Sequence, residues 1–109
     1  AFGGVPELSA TAPTATATTA GAATLAFPEP TGPGDPYNYS EAPAGVQQST
    51  DGGTTWGSLI EPDNVSVSGG TVTLTVSGLT SGASVLRANV KGTNGAVATT
   101  PNSNSVTIT

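Results

Sequence analysis

The stretch NVSVSGGTVTLTVS, residues 64–77, decides the fold class of this chain. On both sides of Gly69-Gly70, valine or leucine alternates with polar residues, which is the pattern of a strand with one apolar face. Two glycines between such runs supply the positive φ angles that a two-residue hairpin turn requires. The residues that share the apolar faces of the two arms are Val65, Val67, Val72, Leu74 and Val76. The stretch therefore predicts a β-hairpin.

Further alternating runs predict the other strands of an all-β domain. ATLAF at 23–27, VLRANVKG at 85–92 and NSVTIT at 104–109 place apolar side chains at every second position. The side chains predicted to be buried between two sheets are Leu25, Phe27, Val72, Leu74, Val76, Leu86, Ala88, Val90, Val106 and Ile108. With turns between them, these segments predict a two-sheet antiparallel sandwich of roughly seven or eight strands.

A second hairpin is predicted from QQSTDGGTTW, residues 47–56. Extended segments flank Asp51-Gly52-Gly53, and an Asp-Gly pair is a strong signal for a tight turn. We expect Gly52 or Gly53 to have a positive φ angle, because glycine adopts it without steric cost. The predicted arms are GVQQS at 45–49 and TTWGSLI at 54–60.

The first part of the chain is predicted to belong to the same single domain, residues 1–109, but to be weakly specified. VPELSATA at 5–12 predicts an edge strand, because Pro6 has no N–H to donate to a ladder. The Thr- and Ala-rich segment 14–23 favours extended structure, but its small side chains specify register poorly. We therefore expect residues 1–23 to pair with a neighbouring chain.

Composition excludes several classes of function. The 109 residues include only 2 Lys+Arg and carry a net charge of −5, so the chain cannot build a phosphate-neutralising surface for nucleic acid. No apolar run approaches about 18 residues, which predicts no membrane insertion. Cysteine and histidine are absent, which removes disulfides, thiolate ligands and imidazole chemistry.

The remaining reactive residues predict no enzyme, no cofactor and no metal site. Serines and threonines lack an activating base, and Lys91 is predicted to face solvent. The acidic side chains lie mostly in predicted loops, without the apolar burial that acid catalysis requires. Loop carboxylates could offer oxygens to calcium, but no D-x-D-x-D-G run occurs. These carboxylates are Asp35, Glu41, Asp51, Glu61 and Asp63.

The pattern of strands and turns resembles a fibronectin type III domain, or a close immunoglobulin-like relative. GVQQSTDGGTTW is similar to that family's third strand, turn and following strand, and TVTLTVSGLTSGAS to its fifth strand and corner. RANVKGTNG and PNSNSVTIT are similar to its last two strands, and ATLAF stands where the family has its second. The resemblance is strongest from 45 to 109 and implies a β-sandwich without implying an activity.

Two departures from this family concern its core and one corner. The tryptophan on the family's second strand would fall at Phe27, and the tyrosine after its Gly-Leu corner is replaced by Leu86 or Val85. The resemblance therefore implies a corner that no buried hydroxyl ties to the backbone. The length of NVSVSGG before the fifth strand suits an immunoglobulin-like arrangement with an added strand.

Three aromatic residues are the candidate ligand contacts: Trp56, Tyr37 and Tyr39. A sugar-binding interpretation makes them a stacking platform, with hydrogen bonds from the side chains of Gln47, Gln48 and Asn38. The other interpretation is that Trp56 packs on the sheet after its turn. We favour packing, because the chain has few aromatic residues and a core of this size needs most of them.

Asn38 and Asn64 each begin an N-x-S sequence and are candidate glycosylation acceptors, which is typical of exported proteins. The sequence as a whole predicts a non-catalytic structural module of an extracellular or virion-surface assembly. Such modules include phage decoration or tail proteins, filament subunits and surface-protein repeats. The alternative is a carbohydrate-binding or adhesion module that uses its end loops. The predicted partners are further copies or a scaffold protein, contacted through sheet edges.

Overall fold

The structure is a computed structural model that describes residues 6–32 and 36–109. Asp35, one of the acids considered above, lies outside these ranges. The strands are β1 (Thr14–Ala17), β2 (Ala23–Pro28), β3 (Gly45–Ser49), β4 (Asn64–Ser68), β5 (Thr71–Val76), β6 (Gly82–Lys91), β7 (Val97–Thr99) and β8 (Val106–Ile108). Across the described ranges, no helix is long and apolar enough to cross a membrane. The predicted all-β class is confirmed.

The strands form two antiparallel sheets. The first sheet has the order β1-β2-β5-β4, and the second has β3-β6-β7, with β8 also pairing to β6. All of these pairs are antiparallel. The predicted two-sheet antiparallel sandwich is confirmed.

The hairpin from which the fold class was predicted is formed by β4 and β5. Gly69 and Gly70 turn the chain with φ angles of 59° and 79°, the positive values of a turn that matches the strand twist. Val65 lies opposite Leu74, and Val67 lies opposite Val72. The apolar residues of both arms therefore lie on the same face of the first sheet.

The core lies between the two sheets and contains the predicted residues. Leu25 and Phe27 on β2 pair with Leu74 and Val72 on β5, and these side chains are buried. Val106 is the exception among the predicted core residues, because it is only partly buried at the start of the short strand β8. Buried hydrophobic residues that were not predicted are Ala15, Ala23, Tyr39, Ala44, Val46 and Leu79.

The second predicted hairpin is wrong in its pairing. β3 pairs along its whole length with β6, far away in sequence. The backbone of the segment 54–60 pairs with β3 through the bridge between Val46 and Ile60 and through a hydrogen bond from the Gly57 N–H to the Gln48 carbonyl (3.0 Å). Instead of forming a second strand, most of this segment follows a loop that the side chain of Asp51 organises.

The N-terminal region also differs from its prediction. VPELSATA forms no strand in its described part, 6–12, although Glu7 makes a bridge to Thr31; residues 1–5 lie outside the described ranges. β1 pairs in register with β2 along all of its residues. Residues 1–23 were predicted to pair with a neighbouring chain. Of these, residues 14–17 are paired inside the domain's own sheet.

The last part of the second sheet is divided into β7 and β8 around Pro101, and β7 was not predicted. Two buried hydroxyls replace the backbone acceptors that are missing between β7 and β8. Ser103 Oγ accepts from the Leu86 N–H (2.9 Å), and Thr100 Oγ1 accepts from the Ala88 N–H (3.0 Å). The Thr100 and Ser103 N–H groups in turn donate to the Ala88 and Leu86 carbonyls. β6 thus stays hydrogen-bonded where its neighbour is irregular, as buried backbone groups require.

Candidate functional site

The loop that follows β3 is built around the carboxylate of Asp51. Asp51 Oδ1 accepts hydrogen bonds from Ser49 Oγ (2.6 Å) and from the backbone N–H groups of Thr54 (3.1 Å) and Thr55 (2.9 Å). The Thr55 hydroxyl donates to Asp51 Oδ2. One side chain therefore satisfies the N–H groups that a second strand would otherwise have paired.

Two glycines allow the loop to close. Gly52 and Gly53 have φ angles of 79° and 97°, which confirms the predicted positive φ. The Gly53 N–H donates to Ser49 Oγ (2.8 Å). A Cβ on Gly53 would lie 2.7 Å from Nδ2 of Asn102, so the loop packs against the chain after β7 through this glycine.

These hydrogen bonds change the acidity of Asp51. The Ser49 hydroxyl, then the Thr55 hydroxyl and the backbone N–H groups of Thr55 and Thr54, all stabilise the charged carboxylate and hold its pKa far below its usual value. In the unfolded chain the pKa returns to about 3.9. Because the folded pKa is the lower one, the carboxylate stabilises the fold above about pH 3.9 and loses this effect as the pH falls further.

Replacing Asp51 with Asn should lower the melting temperature at pH 6, because Asn cannot accept four hydrogen bonds as a charged group does. The difference from the parent protein should shrink as the pH is lowered below about 3.9, where the parent carboxylate begins to lose its charge-dependent stabilisation. Thermal melts followed by circular dichroism from pH 6 to pH 2 measure this. Glu61→Gln removes an exposed carboxylate from the same connection and is the matched control. A difference independent of pH would contradict the assigned role of the charge.

Trp56 lies over the second sheet. The guanidinium carbon of Arg87 lies 4.2 Å from the centroid of the Trp56 ring, and the Arg87 Nε donates to Oε1 of Gln47 (3.0 Å). Arg87 alternates along β6 with the buried Leu86 and Ala88, so it projects from the side of the sheet away from the core. The tryptophan therefore packs on that outer side through a cation–π contact.

Trp56 also lines an open groove of about 420 Å³. Hydroxyl-bearing residues dominate its lining, together with Gln48, Ile60 and two glycines. The hydroxyl-bearing residues are Thr50, Thr55, Ser58 and Thr80. An indole next to several hydroxyls is a surface on which a sugar ring could stack and hydrogen-bond.

The two glutamines that were candidates for binding a sugar are used inside the domain. Gln48 is buried, and its Nε2 donates to the Thr80 carbonyl and to Ser84 Oγ (both 2.8 Å), while its Oε1 accepts from the Thr80 N–H (2.9 Å). Gln47 Nε2 donates to the Gly57 carbonyl (3.0 Å). Gln48 thus ties the corner between β5 and β6 through its amide, at the corner where the resemblance implied that no buried hydroxyl would bond to the backbone.

Tyr37 and Tyr39 lie in other surroundings. Tyr39 is buried, and its ring packs against Phe27 with centroids 6.2 Å apart and planes inclined by 59°. The Tyr37 hydroxyl donates to the Gly32 carbonyl (2.7 Å). The clefts beside Tyr37 and the groove beside Trp56 have no lining residue in common. The three aromatic residues therefore do not form one stacking platform.

The two glycosylation candidates differ in exposure. Asn38 is half-buried, and its Oδ1 accepts from the N–H groups of Ser40 (2.9 Å) and Glu41 (2.7 Å). Asn64 is exposed at the first position of β4. Of the two, the Asn64 side chain is the more accessible acceptor.

The acidic residues are dispersed over the domain. Glu41 approaches Lys91 at 3.8 Å, and Asp63 Oδ2 accepts from Ser77 Oγ (2.6 Å). In residues 6–32 and 36–109, no three side chains of the metal-binding types lie together. The described buried side-chain nitrogen and oxygen atoms all have hydrogen-bond partners.

Two of the sheet edges are covered by other parts of the chain. On β1, the Ala15 N–H donates to Asn104 Oδ1 (2.7 Å), and Asn104 Nδ2 donates to the Ala15 carbonyl (3.1 Å). On β3, Val46 exchanges hydrogen bonds with Ile60 in both directions (2.9 and 2.7 Å). Backbone groups that would be open to a passing strand are satisfied at both places.

The edge formed by β4 is different. β4 is the last strand of the first sheet, and each of its residues is exposed. Within the described ranges, the large hydrophobic side chains that are exposed are Leu59 (39%), Val65 (36%) and Val67 (46%), so all of them lie on or just before β4. Residues 64–86 include no charged side chain. The edge therefore lacks the lysines, prolines and inward charges that commonly protect edge strands.

Comparisons with protein-family models, with curated proteins and with solved structures find no match to this chain.

Proposed function

We propose that this domain is a non-catalytic structural module of an extracellular or virion-surface assembly. The observation that carries the proposal is the β4 edge, which is exposed, uncharged and bears two exposed valines. An unprotected strand edge is a template for pairing with another chain, and natural monomeric proteins avoid it. The predicted partners are therefore further copies or a scaffold protein.

The polar side chains support a structural role rather than a catalytic one. Asp51, Gln48 and Asn104 each use several hydrogen bonds to hold the domain's own loops and edges. The sequence has no histidine or cysteine to provide a nucleophile or a base near neutral pH. The polar atoms of these three side chains are therefore used within the domain itself.

The type of β-sandwich is part of the same proposal. We infer an immunoglobulin-like sandwich, in which the order β1-β2-β5-β4 opposite β3-β6 and β7–β8 corresponds to the arrangement of constant-type domains. The pairing of β4 with β5 supports this type and matches the added strand inferred from the length of NVSVSGG.

Immunogold electron microscopy with an antibody against the purified domain tests the proposed location. We expect label in a regular arrangement on the outer surface of the cells or particles that carry the chain, because an assembly module is present in many ordered copies. Preimmune serum is the control. Label dispersed through the cell interior would contradict the proposal.

A carbohydrate-binding role is the second candidate, and the groove beside Trp56 favours it. Titrating the domain with oligosaccharides while following the Trp56 fluorescence separates the two. The structural role predicts no saturating change in emission, whereas a saturating change that Thr80→Val weakens would assign the groove to sugar binding.

A further inference from the structure

We propose that two copies of this chain pair through β4, antiparallel and edge to edge, around a two-fold axis at Ser66. This inference rests on the proposed assembly role, because it names the partner of the exposed edge as a second copy. It joins the two first sheets into one continuous sheet with β4 and its symmetry mate at the centre.

The direction of the backbone groups on β4 fixes this register. Ser68 and Thr71 flank the two-residue turn, and in such a hairpin the flanking pair exchanges hydrogen bonds. Alternation then directs the N–H and C=O groups of Ser66 toward β5 and those of Val65 and Val67 toward the open edge. With Ser66 opposite its own copy, Val65 lies opposite the Val67 of the other copy, and four backbone hydrogen bonds form.

The side chains fit the same register. Val65 and Val67 share the face of Leu74 and Val72, which is the face directed toward the core. In the pair, two valines from each copy meet on that face, so surface that is 36% and 46% exposed in one copy becomes covered. The fold of each copy stays unchanged, because no strand has to leave its sheet to form the pair.

The charge distribution favours a second copy over a charged partner. The chain has a net charge of −5, so two copies repel each other wherever acidic residues meet. At the β4 edge, Asn64 would lie opposite Ser68, and the nearest acid, Asp63, would lie opposite Gly69. This edge is therefore a place where two copies approach without opposing like charges, and screening by salt should strengthen their association.

A two-fold pairing of this kind is closed. Each copy uses the same patch, and the contact leaves no second β4 edge for a third copy. The edges of β1 and β3 are covered, and the remaining edge strand, β7, has only 3 residues. The expected product is a dimer rather than a filament.

Sedimentation velocity tests the association in solution. The protein should form a dimer as its concentration rises to about 1 mM, with stronger association at higher ionic strength. Val67→Lys should weaken the dimer about tenfold or more, because it places a charge next to the two-fold axis on the paired edge. Val67→Thr keeps the branched shape and the backbone groups and should dimerise nearly as well. Circular dichroism checks that both variants are folded.

Single cysteines test the register directly, because the natural chain has none. Ser66→Cys should form a disulfide dimer under mild oxidation, since residues opposite each other in a non-hydrogen-bonded pair have Cα atoms about 4.5 Å apart. Ser68→Cys is the control: it lies opposite Asn64 of the other copy, about 13 Å from its own mate.

Three results would overturn the inference. They are a parent protein that stays monomeric at about 1 mM, equal cross-linking of the two cysteine variants, and dimers that Val67→Lys leaves intact. None of these bears on where the chain is located, so failure of the pairing and failure of the surface role are distinguishable.

Discussion

Replacing Leu74 with Ala is expected to lower the free energy of unfolding by about 2–5 kcal/mol. Leu74 is fully buried at the middle of β5, between its partners Leu25 on β2 and Val65 on β4. The substitution removes buried methyl groups and leaves a cavity, because both flanking strands are held in a continuous ladder and cannot collapse inward. Urea unfolding followed by far-ultraviolet circular dichroism measures the loss.

Thr73→Ala is the matched control for this substitution. Thr73 is the preceding residue of β5 and projects to the opposite side of the sheet, where it is half-buried. Its replacement should cost less than about 1 kcal/mol, as is usual for residues outside the core. A loss below about 1 kcal/mol for Leu74→Ala would mean that the two sheets do not enclose this position.

Replacing Gln48 with Met is expected to cost about 1–3 kcal/mol. Met keeps the length of the side chain but removes three hydrogen bonds, two of them to the Thr80 backbone and one to the buried Ser84 hydroxyl. The corner between β5 and β6 would then lose its tie to β3. Hydrogen exchange should show faster exchange of the Thr80 N–H, in addition to the lower free energy of unfolding.

Gln47→Met is the control that distinguishes loss of the hydrogen bonds to the β5–β6 corner from a general destabilisation of β3. Gln47 is the neighbouring residue and also makes several side-chain hydrogen bonds, but these are exposed or only partly buried, so water can replace them more readily than it can replace the bonds of the buried Gln48. We expect a smaller loss of stability and no change in the exchange of the Thr80 N–H. Equal effects of the two substitutions would rule out a particular role for the corner.

The features predicted correctly from sequence are those that local patterning determines. The β4–β5 hairpin follows from two glycines between alternating runs, and the buried residues of β2, β5 and β6 follow from period-2 alternation. Each of these signals involves residues close together in the chain, so no knowledge of the distant partner strand is needed.

The features that were missed depend on contacts between distant residues. The partner of β3 is β6, whereas the Asp-Gly turn signal favoured pairing with the nearby segment 54–60. Asp51 was interpreted as part of a tight turn, whereas its carboxylate organises a whole loop. The use of serine, aspartate and threonine at 49, 51 and 55 was the available signal, since short polar side chains bond nearby backbone groups.

In the candidate site, too, local features were predictable from the sequence and contacts between distant residues were not. Alternation indicated that Val65 and Val67 share a face, but it could not tell that the second sheet does not cover them. Gln48 looks like a surface residue in the sequence, and only the folded corner brings Thr80 and Ser84 to its amide. The protection of β1 by Asn104 joins residues at the two ends of the chain, which no local pattern reveals.

The two hydrogen bonds between the Asn104 side chain and the Ala15 backbone bear on how the domain would respond to mechanical tension. β1 and β8 run in the same direction, because Asn104 lies beside Ala15 while the Gly21 N–H, beyond the end of β1, donates to the Thr109 carbonyl (2.9 Å). A pull on the two ends of the domain therefore slides β1 lengthwise past β8. The Asn104 bonds and the β1–β2 ladder are then loaded together in shear, not broken one after another as in unzipping. We therefore expect the sandwich to resist tension along its length and to transmit force to neighbours before it unfolds.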